Sequence, residues 1–348
     1  MATQQEIADR LEISRSLVAR ALSDTPGARV SPDTRQRVLR VAKELGYSPN
    51  SAARALRTGR SSSVSFIQSA RNGVHTAPSF NAAVEGCSRA LGLLGYDLKV
   101  RFAAGHDDLM AELTNIGASH SSDLIILWGP EGDVEEQGEL LQQIGVPFVV
   151  KGHHEARHPE WLQIDFDHSE MIRRATIHVS DMGHSRIGYI GYDTDDVFAQ
   201  RLLDGFKATH VELFGMQPDD RFIARVDSSR SANKLVIEQW MSYPREQRPT
   251  GLVIGANANA WTGVELALCR HGLKMGDLKG EFAVSGLASQ GFFTLFGTGH
   301  YYPANDIVTL GSEMVNRLIV PALRGETPQC RAIRLMPDFL LSECLDLG

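Results

Sequence analysis

Apolar residues recur at helical spacing from the start of the chain. Ile7, Ala8 and Leu11 form one set; Leu17, Val18, Ala21 and Leu22 form a second, each on one face of a short helix. Between them Ser14 suits an N-cap, because its hydroxyl can accept a first-turn backbone N–H. The second helix leaves Arg15, Ser16, Ala19 and Arg20 off its apolar face. Two outward arginines on a short helix, braced by another helix across a tight turn, are the layout of a helix-turn-helix; a solvated helical hairpin would show the same pattern. A third helix opens at Ser31-Pro32-Asp33, which supplies a cap, a proline at the first position and an acid in the first turn. Val38, Leu39, Val41, Ala42 and Leu45 give it an apolar face, and Gly46 ends it. Residues 4–46 thus read as a three-helix unit, too small to be very stable alone. Pro49 then breaks the chain, Asn50 can cap a two-turn helix over 51–57, Gly59 ends that helix, and serines 61–63 read as a linker.

From Val64 the pattern changes to apolar runs alternating with helical stretches. VSFI, YDLKVRF, DLIILW, VPFVV, RIGYIG, RFIARV, GLVIGA and EFAVSG read as strands. FNAAVEGCSRALGLLG, HSEMIRRATIHVSDMG and NAWTGVELALCRHG are among the helices between them. Repeated βα alternation predicts parallel sheets covered by helices on both faces. So many strands fit two lobes better than one sheet, and such lobes bind ligands at the carboxyl ends of their strands, here in the cleft between them.

Composition sharpens this picture at one point. The 348 residues carry a formal charge of −7, yet residues 1–62 hold eleven Lys/Arg against six Asp/Glu, and the rest hold 24 against 36. A basic head on an acidic body is what a nucleic-acid-binding module joined to a sensor would look like. No apolar run approaches the ~20 residues needed to span a bilayer, and the N-terminus lacks the layout of a signal peptide. Cys87, Cys269, Cys330 and Cys344 are scattered without a CxxC pair, as expected of reduced cysteines in a cytoplasmic protein. His153, His154 and His158 share an expected loop, but without HExxH or a Cys/His set they give little reason to expect a metal. Nothing calls for a cofactor. YIGYD is not a phosphate-binding glycine loop, VSGLASQG is not GxSxG, and no Ser/His/acid set stands out, so the pattern argues against an enzyme.

The order of parts resembles the LacI/GalR family of bacterial transcription regulators over nearly the whole chain. The resemblance is strongest in EIADRLEISRSLVARALS, VSPDTRQRVLRVAKELGYSPN and SAARALRTGR. It returns at SSDLIILWG, VPFVV, DMGHSRIGYIG, FAQRLLDGFKA and PTGLVIGANANA. It implies a homodimeric or tetrameric repressor with a helix-turn-helix head (1–46) and a hinge helix and linker (47–62). The implied core resembles periplasmic sugar-binding proteins. Its N-terminal lobe is expected in 63–162 and 297–326, its C-terminal lobe in 163–296 and 327–348. No heptad segment follows residue 340, so no C-terminal tetramerisation coil is expected.

Carried over residue by residue, the resemblance puts Arg15, Ser16 and Arg20 at major-groove reading positions of operator DNA. The chemistry agrees: arginine can donate a bidentate pair to guanine, and serine can bond to any base edge. Ser14, Leu17 and Thr34 fall where the family contacts or packs on the DNA backbone, with capping and core roles equally open. Tyr47 and Asn50 match positions near phosphates, and Leu56 matches the leucine wedged into the minor groove. Glu12 stands where the turn usually wants glycine, because φ there is positive. For the effector, expected to be a sugar or sugar derivative, Arg201 and Asn257 match ligand-contacting positions. Phe80 and Trp128 offer apolar or stacking walls, with core packing equally open for each, and His153 and Asn305 fall near the cleft. Ala258 and Ala288 replace acids common in the family, which tilts the choice toward an anionic or larger ligand. The alternative is a ligand-binding protein of transport without a regulatory role.

Overall fold

The computed structural model describes residues 2–22, 30–47, 59–68, 78–128, 131–154, 156–195, 197–227, 229–256, 258–273, 282–289, 301–336 and 338–341. They fall into two compact units, 1–62 and 63–348.

The described residues of the first unit form three helices, as the periodicity predicts. Helix α1 (Gln4–Leu11) opens on a reciprocal cap: Thr3 Oγ1 accepts from Glu6 N, and Glu6 Oε2 accepts from Thr3 N at 2.7 Å. Helix α2 (Arg15–Ala21) is capped by Ser14 and α3 (Pro32–Glu44) by Ser31. Ile7, Ala8, Val18, Ala21, Val38, Val41 and Ala42 meet as one buried cluster. Glu12 ends α1 in the left-handed region at φ 53°, ψ 42°, the conformation expected from its place in the turn. A side chain with a Cβ is strained there by roughly 1 kcal/mol or more. Glu12→Gly is therefore expected to raise the head's stability by about 1 kcal/mol. Slower hydrogen exchange of the buried Val18 amide would register it, and unchanged exchange would refute it.

The described residues of the second unit form three sheets. The first-lobe sheet is parallel and comprises β1 (Ser63–Gln68), β2 (Asp97–Phe102), β3 (Leu124–Trp128), β4 (Phe148–Lys151), β5 (Leu162–Phe166) and β12 (Ala332–Leu335), in the order β12-β5-β4-β3-β1-β2. Helices α4 (Pro78–Gly92), α5 (His106–Ser119) and α6 (Glu131–Ile144) connect its strands. The second lobe holds a parallel sheet of β6 (Ile187–Tyr192), β7 (Ile223–Val226), β8 (Gly251–Gly255) and β9 (Ala283–Gly286), ordered β7-β6-β8-β9. Helices α7 (His168–Asp181), α8 (Val197–Phe214), α9 (Arg230–Met241) and α10 (Ala258–Arg270) accompany it. A small third sheet joins β10 (Ala288–Ser289), β11 (Tyr301–Asn305) and β13 (Asp338–Leu341). Helix α11 (Ile307–Met314) returns to the first lobe and packs on α4. Gly86 and Gly311 permit that contact: a Cβ on Gly86 would collide with the Val308 carbonyl, and one on Gly311 would lie 2.7 Å from the Ala83 carbonyl. A π-helical turn over Val315–Ile319 leads from α11 into α12 (Val320–Arg324). No described helix is long and apolar enough to cross a membrane.

The lobe boundaries differ from the expected ones. Strands β5 and β12, assigned from sequence to the C-terminal lobe, pair with each other in the first-lobe sheet, Asp165 opposite Arg334. The chain therefore leaves the first lobe after Phe166, not after residue 162. Strand β5 is hard to read because its polar residues are inside: Gln163 and Asp165 are 1% and 2% exposed. A buried parallel strand usually reads as a continuous apolar run.

Candidate nucleic-acid interface and interlobe site

On α2, Val18 and Ala21 turn into the core while Arg15, Ser16 and Arg20 stand exposed. Ser14 Oγ accepts from Leu17 N at 3.2 Å and lies 3.0 Å from Ser16 Oγ. Arg20 Nε donates to the Ser16 carbonyl at 3.3 Å, which lays the guanidinium along the helix. Thr34 N donates to Ser31 Oγ, and the two hydroxyls are 2.8 Å apart. Ser14 and Thr34 thus both serve helix starts. The Tyr47 hydroxyl accepts from Gln4 Nε2 at 3.0 Å, tying the end of the unit back to its beginning. Asn50 and Leu56 lie outside the described residues.

In the second unit three of the expected effector residues converge where the chain passes between lobes. His153 follows β4, and its Nε2–H donates to the Phe166 carbonyl at 2.8 Å, which fixes the proton on that nitrogen. Arg201, on α8 of the second lobe, donates to the His153 carbonyl of the first at 3.1 Å. Trp128 ends β3, with Lys151 Nζ 5.2 Å from its ring centroid. Lys151, Asp165 and His168 complete the cluster and were not singled out from the sequence. Lys151 Nζ donates to Asp165 Oδ2 at 2.8 Å, and His168 Nε2 lies 3.7 Å from Asp165 Oδ1. The His168 ring meets His153 and Phe198 edge-on at 5.9 and 4.7 Å. The available signal was a Lys closing FVVK and an Asp inside LQIDF, charged residues on apolar strands.

Phe80 does not join this cluster. Phe80 is 2% exposed, packed edge-on against Phe66 at 5.1 Å and beside Phe102 at 5.5 Å; it is a core side chain. Asn305 ends β11 in register with Ser289. Asn257 lies outside the described residues. Of the two acids that precede α8, Asp195 pairs with Arg225 at 2.9 Å, and Asp196 lies outside the described residues.

Burial governs the electrostatics. Burial, the largest influence, would raise the pKa of Asp165, but Lys151 and the neighbouring imidazoles together outweigh it and hold the carboxyl at about 2. Burial pushes His168 down to about 4, only partly opposed by Asp165, and lowers His153 as well. Both imidazoles are neutral at pH 7. Two imidazoles and a carboxylate with ligand atoms within 4.8 Å have the spacing of a metal site, the only such group among the described residues.

A pH dependence follows. The unfolded imidazole titrates near 6.5, so below that pH the unfolded chain binds a proton that folded His168 refuses. This stabilisation is complete above the unfolded value and is lost as pH falls toward the folded value near 4. Thermal unfolding of the core is expected to lose on the order of 2–3 kcal/mol from this group across that window. His168→Gln should flatten the corresponding part of the Tm profile; an unaltered profile would refute the assignment.

Comparison with known proteins agrees with both halves. Residues 3–50 match the family described as bacterial regulatory proteins, lacI family. Residues 67–300 match periplasmic binding proteins and sugar binding domain of LacI family. The HTH-type transcriptional regulator RafR of Escherichia coli is 25% identical over 342 residues, covering 96% of this chain and 95% of its own. The structure of a Lac repressor dimer bound to operator and the anti-inducer ONPF superposes with a TM-score of 0.76 at 19% identity, over 99% of this chain and 98% of that one. A CelR–cellobiose complex gives 0.68 at 22% identity, over 99% and 100%. With a matching head and a sugar-binding core that spans more than half its length, the chain belongs to the LacI family of bacterial transcriptional regulators.

Proposed function

We propose that the protein is a homodimeric repressor whose head reads operator DNA through Arg15, Ser16 and Arg20. Ser14, Thr34, Tyr47 and Asn50 hold the DNA backbone, and Leu56 wedges into the minor groove. A sugar or sugar derivative bound between the lobes controls it, contacted by Arg201, His153 and Trp128, with Asn257 and Asn305 at the margins of the site. The relatives support this reading: one structure of the same fold holds cellobiose, and another is a dimer on its operator. The observation that carries the effector site is the Arg201 bond to the His153 carbonyl. It is a polar link between the lobes, made by a side chain with five donors, and a ligand can compete for it. A ligand that alters the link alters the lobe angle, and DNA and effector then oppose or favour each other by a shared coupling energy, typically ~1–3 kcal/mol. The transport alternative has no use for the exposed arginines of α2.

The test is a mobility shift of the full chain on the DNA upstream of its own gene, titrated with mono- and oligosaccharides, sugar acids and sugar phosphates. Specific binding that one class of sugar strengthens or weakens supports the proposal. Absence of specific DNA binding, or binding indifferent to any ligand that the core demonstrably takes up, refutes it.

A further inference from the structure

Two buried acceptors near the interlobe crossover have no partner within the protein. Gln68 closes β1, is 7% exposed, and its Oε1 accepts no hydrogen bond. His168, 5% exposed at the start of α7, has an unpartnered Nδ1. Its Nε2 faces Asp165 Oδ1 at 3.7 Å, which favours the proton on that nitrogen and leaves a lone pair on Nδ1. The carboxylates beside His168 already serve the protein. Asp165 accepts from Lys151 Nζ and from the Phe166 N–H at 2.9 Å, and Asp167 Oδ1 caps α7 through Glu170 N at 3.0 Å. Burying an acceptor without a donor is unfavourable, and native proteins rarely leave one unless a group from outside the chain completes it.

The two acceptors stand at opposite ends of one line. Gln68 is the register partner of Trp128, so both side chains leave the same face of the sheet at the carboxyl ends of β1 and β3. Next in the sheet come β4, followed in the chain by His153, and β5, with His168 two residues past its end. From β1 to β5 is three strand spacings, about 14 Å at ~4.8 Å each. One pyranose ring with a hydrogen bond at each end does not cover that distance; two linked rings do.

We propose that the effector is an oligosaccharide of at least two rings, laid across the carboxyl ends of β1, β3, β4 and β5. One hydroxyl donates to Gln68 Oε1, and another, on a different ring, donates to His168 Nδ1. This rests on the effector-site reading above and adds the ligand's size and two contacts. Trp128, 8% exposed, offers an apolar edge between the two anchors. Gln68 carries no charge, and burial keeps the His168 imidazole neutral at pH 7, so both anchors select hydroxyl donors.

The experiment is calorimetric titration of the full chain, and of its Gln68→Met and His168→Phe variants, with glucose, galactose, maltose, cellobiose, lactose and melibiose at neutral pH. At least one disaccharide should bind the unaltered chain about tenfold or more tightly than either of its component monosaccharides. Each variant should weaken that disaccharide about tenfold. Thermal unfolding without sugar is the second readout. Gln68→Met removes an unmatched acceptor at nearly constant side-chain length, so it should raise the Tm by about 2 °C. An amide that served the fold instead would lower the Tm on the same change. A monosaccharide binding as tightly as the disaccharides, or isotherms untouched by both variants, overturns the inference and leaves the effector-site reading standing. A lowered Tm for Gln68→Met overturns it as well. Absence of binding by every sugar overturns both.

Discussion

Arg20→Ala should weaken operator binding by about 1–3 kcal/mol, roughly fivefold to 150-fold, and relax base preference at one position in each half-site. The side chain is exposed on α2, so its removal leaves the core of Val18, Ala21 and their neighbours intact. Its Nε is bonded to the Ser16 carbonyl of its own helix, which leaves the two terminal nitrogens as a paired donor. That geometry suits the two acceptors of a guanine edge and no other base presents the same pair. Lysine at this position keeps the charge but not the fork, so Arg20→Lys should recover salt-dependent affinity without recovering base preference. Equal weakening on all sequences, with a shallower salt dependence, would reduce Arg20 to a phosphate contact.

The second large effect is expected at Arg201. Arg201→Ala should lower effector affinity by about 2 kcal/mol or more, near thirtyfold, and so abolish the response at working effector concentrations. Operator binding without effector and dimerisation should persist. The residue sits on α8 at the interlobe crossover and donates to a first-lobe carbonyl, so ligand and protein compete for one donor set. A purely structural role predicts something else: a lower Tm with an unchanged effector isotherm. That result, or a normal effector titration of operator release, would remove Arg201 from the site and leave His153 and Trp128 as the next candidates.

What the sequence determined was whatever depends on near neighbours. The caps of α1, α2 and α3 are bonds across three residues, from Thr3, Ser14 and Ser31 to Glu6, Leu17 and Thr34. They follow from residue type and position alone. So do the apolar faces of those helices and the left-handed Glu12. The strands VSFI, LIILW and LVIG announced themselves because parallel strands buried on both faces are continuous apolar runs. What only the tertiary structure decided depends on partners distant in the chain. Gln163 and Asp165 make β5 resemble a half-exposed strand. Inside, Gln163 accepts from His154 N and donates to the His158 carbonyl, while Asp165 takes Lys151. Phe80 and Trp128 were equivalent as aromatic wall candidates; folding packed both on Phe66 in one core cluster and placed only Trp128 at its edge beside an ammonium. Lys151, Asp165, His168 and Arg201, spread over 51 positions from first to last, become one site because β4, β5, α7 and α8 end or begin at the same crossover. A side chain's chemistry is written locally, but its burial, its partner and hence its charge state are set by whichever strands and helices the fold brings against it.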